Sequence, residues 1–85
     1  MDASEYEIPV TVSVPEYGEA ALGLSRNGSY AAAIAGVFEI IEVQGKKRVP
    51  VRKNLQRLAG GDPAILEAVT RDFLSKLRRR AVLAA

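Results

Sequence analysis

Residues 22–36 read LGLSRNGSYAAAIAG, and the way this stretch resolves decides the fold. Gly23 suits the left-handed turn that follows a helix, and Ser25 is a favourable N-cap for another. Only Gly23 and Leu24 separate a helix ending near Leu22 from one starting at Ser25, so the pair is predicted to be a helix-turn-helix. Gly36 is expected to close the second helix. In such units the first residues of the second helix face base edges in the major groove. Here they are Ser25, Arg26, Asn27 and Ser29. Arg26 offers two hydrogen bonds to guanine and Asn27 two to adenine, while the alanines behind them allow close packing and close approach. The plainer alternative is that Ser25 only caps, Arg26 and Asn27 are solvated, and the alanines are simply good helix formers.

Upstream, EIPVTVSV (7–14) alternates, with Ile8, Val10, Val12 and Val14 on one side and Thr11 and Ser13 on the other, as a half-exposed strand does. Pro9 lacks an amide proton and confines that strand to a sheet edge. It is read either as a tail lying over the core or as an arm pairing with a neighbouring subunit. Ser13 and Glu16 have capping-box spacing, and Val12 with Tyr17 forms a candidate hydrophobic staple; a short helix is predicted from there to Leu22. Gly18 inside it costs helix stability, so packing must hold the element. Residues 1–7 are polar and expected to be loose.

Downstream, FEIIEV (38–43) is alternating and β-branched, Gln44–Lys47 supply a turn with Gly45, and RVPV (48–51) is a second extended run, together a hairpin with a basic tip of Lys46, Lys47 and Arg48. A helical piece over about 52–59 turns Leu55 and Leu58 inward and Arg52, Lys53 and Arg57 outward, and Arg52 and Lys53 are candidates for DNA backbone contact. Asp62 and Pro63 start the longest helix, expected to reach about Arg80. Its residues Ile65, Leu66, Val69, Phe73, Leu74 and Leu77 form one apolar stripe. Arg78, Arg79 and Arg80 at its end suit the helix dipole and are further candidates for DNA backbone contact, with Val82 and Leu83 available to dock on a neighbour. The predicted class is small α+β: an edge strand or arm (1–12), a winged helix-turn-helix (13–59) whose wing is the hairpin, and an added amphipathic helix (62–83).

Composition agrees with a non-catalytic binding protein. The chain has 85 residues, with no cysteine or histidine, which removes thiolate chemistry, nearly all zinc sites and the usual general base near neutral pH. No metal, cofactor or enzymatic activity is therefore expected, and no phosphate-cradling glycine loop is present. The net charge of +2 hides an asymmetry: from Ser25 onward twelve basic residues stand against five acidic ones, whereas the first part is purely acidic. Such a body attracts polyanions. MDASEYE at the N-terminus is acidic where a secretory leader is basic and then apolar, and the apolar run 30–38 is shorter than the ~20 residues of a membrane span. A cytoplasmic, non-membrane protein is expected.

The run EYGEAALGLSRNGSYAAAIAGVFEIIEVQGKKRVPVRKNL (16–55) resembles the small excisionase and AlpA-type DNA-binding domains of the MerR-like winged helix-turn-helix superfamily. The matching positions are Leu22, Gly23, Leu24, Ser25, Arg26, Tyr30, Gly36, Val43, Lys46, Lys47, Arg48, Val49 and Pro50. The family usually carries an aliphatic residue where this chain has Ser29 and a basic one where it has Ala31. With the recognition helix thinned in this way, the resemblance implies more reliance on phosphate contacts, DNA shape and several protomers side by side. It also implies a recombination directionality factor of a prophage or integrative and conjugative element. Its partners would be double-stranded attachment-site DNA, which it bends, and a separate site-specific integrase, which it steers towards excision. A promoter-binding regulator of the same fold, or an assembly module that binds no DNA, are the alternatives.

Overall fold

Ser13 is at once the last residue of a strand and the first cap of a helix. The computed structural model describes residues 8–84, and in it β1 (Thr11–Ser13) runs directly into α1 (Val14–Leu22). The capping box is formed: the Ser13 hydroxyl accepts from the Glu16 amide, and Glu16 Oε1 accepts from the Ser13 amide at 3.0 Å. Two of the orphan donors of the helix start are thereby satisfied. Gly23, at φ 67°, ends α1 in the left-handed conformation, and after a three-residue turn α2 (Arg26–Ile34) begins with Ser25 as its cap, accepting from the Gly28 amide at 3.0 Å.

β2 (Ile41–Val43) and β3 (Lys46–Pro50) form the hairpin. Its two-residue turn places both Gln44 (φ 53°) and Gly45 (φ 77°) in left-handed backbone, the twist that suits adjoining antiparallel strands. β1 pairs with β3 of the same chain, Val12 opposite Val49 and Ser13 opposite Arg48, so the sheet order is β1-β3-β2, all antiparallel. α3 (Val51–Ala59) and α4 (Pro63–Ala84) complete a small α+β structure of four helices and three strands among the described residues.

One core joins every layer. Tyr17 of α1 lies with its ring centroid 4.9 Å from Phe38 and 5.8 Å from Phe73. Val12, Val14, Val49, Val51 and Leu55 fill the space around this aromatic group. Each such side chain contributes roughly 1.5–3 kcal/mol by leaving water. α4 packs across α1 and α3 through Phe73, with Leu66, Val69, Leu74 and Leu77 half-buried beside it.

Several expectations shift. Val10 is 86% exposed, because it sits in a bend before the strand, where its carbonyl accepts from the Val51 amide at 3.1 Å. FEIIEV is strand only over Ile41–Val43, since Phe38 is drawn into the core and Glu39 is held by α3. Leu58 is 44% exposed: the inward face of α3 is Val51, Asn54, Leu55 and Ala59, and Leu58 falls at its margin. α2 stops at Ile34, two residues before Gly36. The loose segment 1–7 and the docking of Val82 and Leu83 lie outside the described residues and side chains. No described helix is long and apolar enough to cross a membrane.

Candidate nucleic-acid interface

α2 is seated so closely on α1 that Gly18 touches Ser29. Ser29 is completely buried, and its hydroxyl donates to the Ser25 carbonyl at 2.8 Å. The expectation that Ser29 faces a DNA groove is therefore corrected: it is a packing contact between the two helices, held inward where Gly18, which has no Cβ, leaves room for it. Ser25, Arg26 and Asn27 are exposed. The Ser25 hydroxyl is already committed to the Gly28 amide as an acceptor, which leaves its proton for a further partner.

The hairpin divides its three cations. Lys46 and Lys47 are exposed, and neither forms an ion pair with a described residue. Glu42 stands opposite Lys47 in the ladder. Arg48 differs: its Nε donates to Thr11 Oγ1 at 3.3 Å and a terminal nitrogen donates to the Thr11 carbonyl at 3.2 Å. Its guanidinium clamps β1 to β3 rather than extending from the tip, which corrects its assignment as a freely projecting wing contact.

The less central cations separate in the same way. Arg52 is exposed and has no ion partner among the described residues, whereas Lys53 is 2.8 Å from Glu39. The Lys53 hydrogen bond and charge hold the Glu39 carboxyl below its usual range. Arg78 and Arg79 are exposed and unpaired among the described residues, but Arg80 reaches Glu19 on α1 and fastens the end of α4 there. Burial pushes the Glu16 carboxyl up, and its bonds to the Ser13 amide and hydroxyl, with the charges of Arg80 and Arg48, outweigh that and leave it lowered overall. Arg57, read from the sequence as merely outward, is likewise exposed and unpaired among the described residues.

Asn54 was missed by sequence reasoning and is the pivot of this region. It is buried. Its Nδ2 donates to the carbonyls of Glu39 (3.0 Å) and Pro50 (2.8 Å), and its Oδ1 accepts the Glu39 amide at 2.8 Å. Both arms approaching the hairpin are thus tied to α3 by a single side chain, and the position of Lys46 and Lys47 follows from it. An asparagine one residue from Leu55 in a basic helix carries no signal distinguishing it from a solvated one.

An open cavity of about 270 Å³ lies between Leu22, Val37 and Leu58 at its rim and Tyr17 at its base. Burial, slightly offset by the Arg57 charge, pushes the Tyr17 hydroxyl up to about 12. Among the described residues no group of three or more His, Cys, Asp or Glu side chains is placed to hold a metal ion. The chain matches no family model, no curated protein and no solved structure.

Proposed function

We propose that this chain is a DNA-binding architectural protein of the winged helix-turn-helix kind, with an edge strand before the unit and an amphipathic helix after it. α2 enters the major groove through Arg26 and Asn27, and the hairpin acts as the wing, with Lys46 and Lys47 on the phosphates. The observation that carries this reading is that Arg26, at the start of α2, and Lys46 and Lys47, in the hairpin, are exposed and have no ion partner among the described residues, as is also true of Arg52, Arg57, Arg78 and Arg79, whereas Lys53, Arg71, Lys76 and Arg80 each hold a carboxylate. An exposed cation that forms no ion pair within its own chain is suited to a polyanion.

The resemblance to excisionases and AlpA-type domains extends the reading. The protein is a recombination directionality factor that binds and bends attachment-site DNA and directs a separate integrase towards excision. A promoter regulator would use the same surfaces, so the task is decided by assay. Attachment-site duplex is titrated with the chain across a salt series, and an excision reaction with the integrase of the same element is run beside a promoter reporter. Binding that falls steeply with salt and excision that requires the chain support the proposal. Binding indifferent to salt, or a response of the reporter alone, overturns it.

A further inference from the structure

The outward side of α2 is unusual for a surface helix. Ser29 is buried and Ala32 and Ala33 pack on the core, leaving two rows spaced four residues apart: Arg26, Tyr30, Ile34 and, beside it, Asn27, Ala31, Ala35. Residues at this spacing are neighbours on a helix surface. Ile34 is 85% exposed and Tyr30 42%. Arg26, Asn27 and the helix start form the polar end of this face, and the rest is apolar.

Charge indicates what covers it. α2 carries a cation at its first residue and no acidic residue at all, its N-terminus is the positive end of the helix dipole, and Lys46 and Lys47 of the hairpin are unpaired among the described residues. Polyanion is the complementary partner. From Arg26 to Ile34 the face is ~12 Å long, and the major groove is ~12 Å wide. The apolar group that a duplex presents in that groove is the 5-methyl of thymine, which apolar side chains recognise by contact.

Resting on the DNA-binding reading above, we infer that the apolar side of α2 reads 5-methylpyrimidine edges: Tyr30, Ala31 and Ile34 pack on thymine methyl groups while Arg26 and Asn27 set the register. Discrimination in the second turn of the helix then comes from shape and desolvation, and needs no second cation.

The test is to enrich duplexes that bind the full chain from a random-sequence library and to resynthesise the tightest with each thymine in turn replaced by uracil, which deletes only the methyl group. Replacement at contacted positions is expected to weaken binding about fourfold per methyl. Ile34→Ser is expected to lose the thymine preference at the position that Ile34 contacts, and to keep it where Tyr30 or Ala31 does, with the wild-type circular dichroism and thermal midpoint retained because Ile34 lies outside the core. Equal affinity of the wild-type chain for both duplexes overturns the inference and leaves the DNA-binding reading standing. Failure to bind any duplex in a salt-dependent way overturns both. An Ile34→Ser chain that retains the thymine preference at every position and instead loses self-association in light scattering overturns the inference as well, and gives the face to a second copy of the chain.

Discussion

Gly18 and Ser29 are in a contact that no larger pair could make. A Cβ built on Gly18 falls 1.9 Å from the Ser29 hydroxyl oxygen and 2.4 Å from its Cβ. The distance between α1 and α2, and with it the angle at which α2 is presented, is set at this point. Gly18→Ala improves helix propensity by ~1 kcal/mol, yet overpacking of a closed contact costs about 1–3 kcal/mol and often more. A net loss of ~2 kcal/mol is expected in urea unfolding. Ser29→Gly in the same chain removes both clashing atoms, so the double variant should recover part of the loss, a coupling of at least ~1 kcal/mol. A Gly18→Ala chain as stable as wild type means that the helices part freely and that the contact sets nothing.

The Asn54 side chain spends all three of its strong bonds on Glu39 and Pro50. Asn54→Ala removes the partner of the part-buried Glu39 amide and of two carbonyls, and with a hydrogen bond contributing ~0.5–1.5 kcal/mol net a destabilisation of about 1–3 kcal/mol is expected. Asn54→Asp is the sharper variant. It keeps the acceptor for the Glu39 amide and sets a carboxylate oxygen against two carbonyls, so at neutral pH it should be no better than alanine. Amide exchange over residues 39–50 should accelerate in both. Normal exchange in the aspartate variant counts against the clamp.

Local signals along the chain were legible where neighbouring residues alone determine them. Ser13 with Glu16, Ser25 before the second helix and Gly45 in the hairpin each act over four residues or fewer, and each acts as its spacing predicts. What escaped was decided by distant packing. Ser29 looks like a polar residue at a helix start, and only the Gly18 approach, eleven residues earlier in the chain, turns it inward. Arg48 and Arg80 read as free basic residues until β1 and α1 bring Thr11 and Glu19 beside them. Asn54 is illegible for the same reason: its partners are backbone groups, which no side-chain pattern records.

Tyr17 gives the protein an alkaline limit. Its hydroxyl is pushed up to about 12 by burial, while the unfolded chain titrates at the ordinary value near 10. The unfolded state therefore releases the proton first as pH rises. Stability from this group is complete below pH ~10 and falls between pH ~10 and 12 by about 1.4 kcal/mol per unit, ~3 kcal/mol in all. The comparison to make is wild type against Tyr17→Phe in urea unfolding between pH 9 and 11. The wild-type chain should lose stability relative to the phenylalanine variant as pH rises. Parallel curves for the two chains would falsify the assignment.

The cations of the hairpin and of α2 should separate into three behaviours on DNA. Lys46 and Lys47 are exposed, with no carboxylate bound to either among the described residues. In the proposed complex each neutralises a phosphate and releases a counterion, so Lys46→Ala or Lys47→Ala should lower the slope of log K against log salt by ~0.9 and weaken every sequence alike. Arg26 stands at the first position of α2 and, in the proposed complex, faces base edges. Its replacement by alanine should cost about 1–3 kcal/mol on the preferred duplex and little on random DNA, so that preference relaxes. Arg48 lies next to Lys47 in the chain but is bonded to Thr11. Arg48→Ala should leave the salt slope nearly intact and instead lower the unfolding free energy by ~1 kcal/mol. Fluorescence anisotropy of the four variants across a salt series, with urea unfolding beside it, tests all three at once. A salt slope that drops as far for Arg48→Ala as for Lys47→Ala means that the Thr11 clamp releases on DNA and that all three residues act as one basic tip.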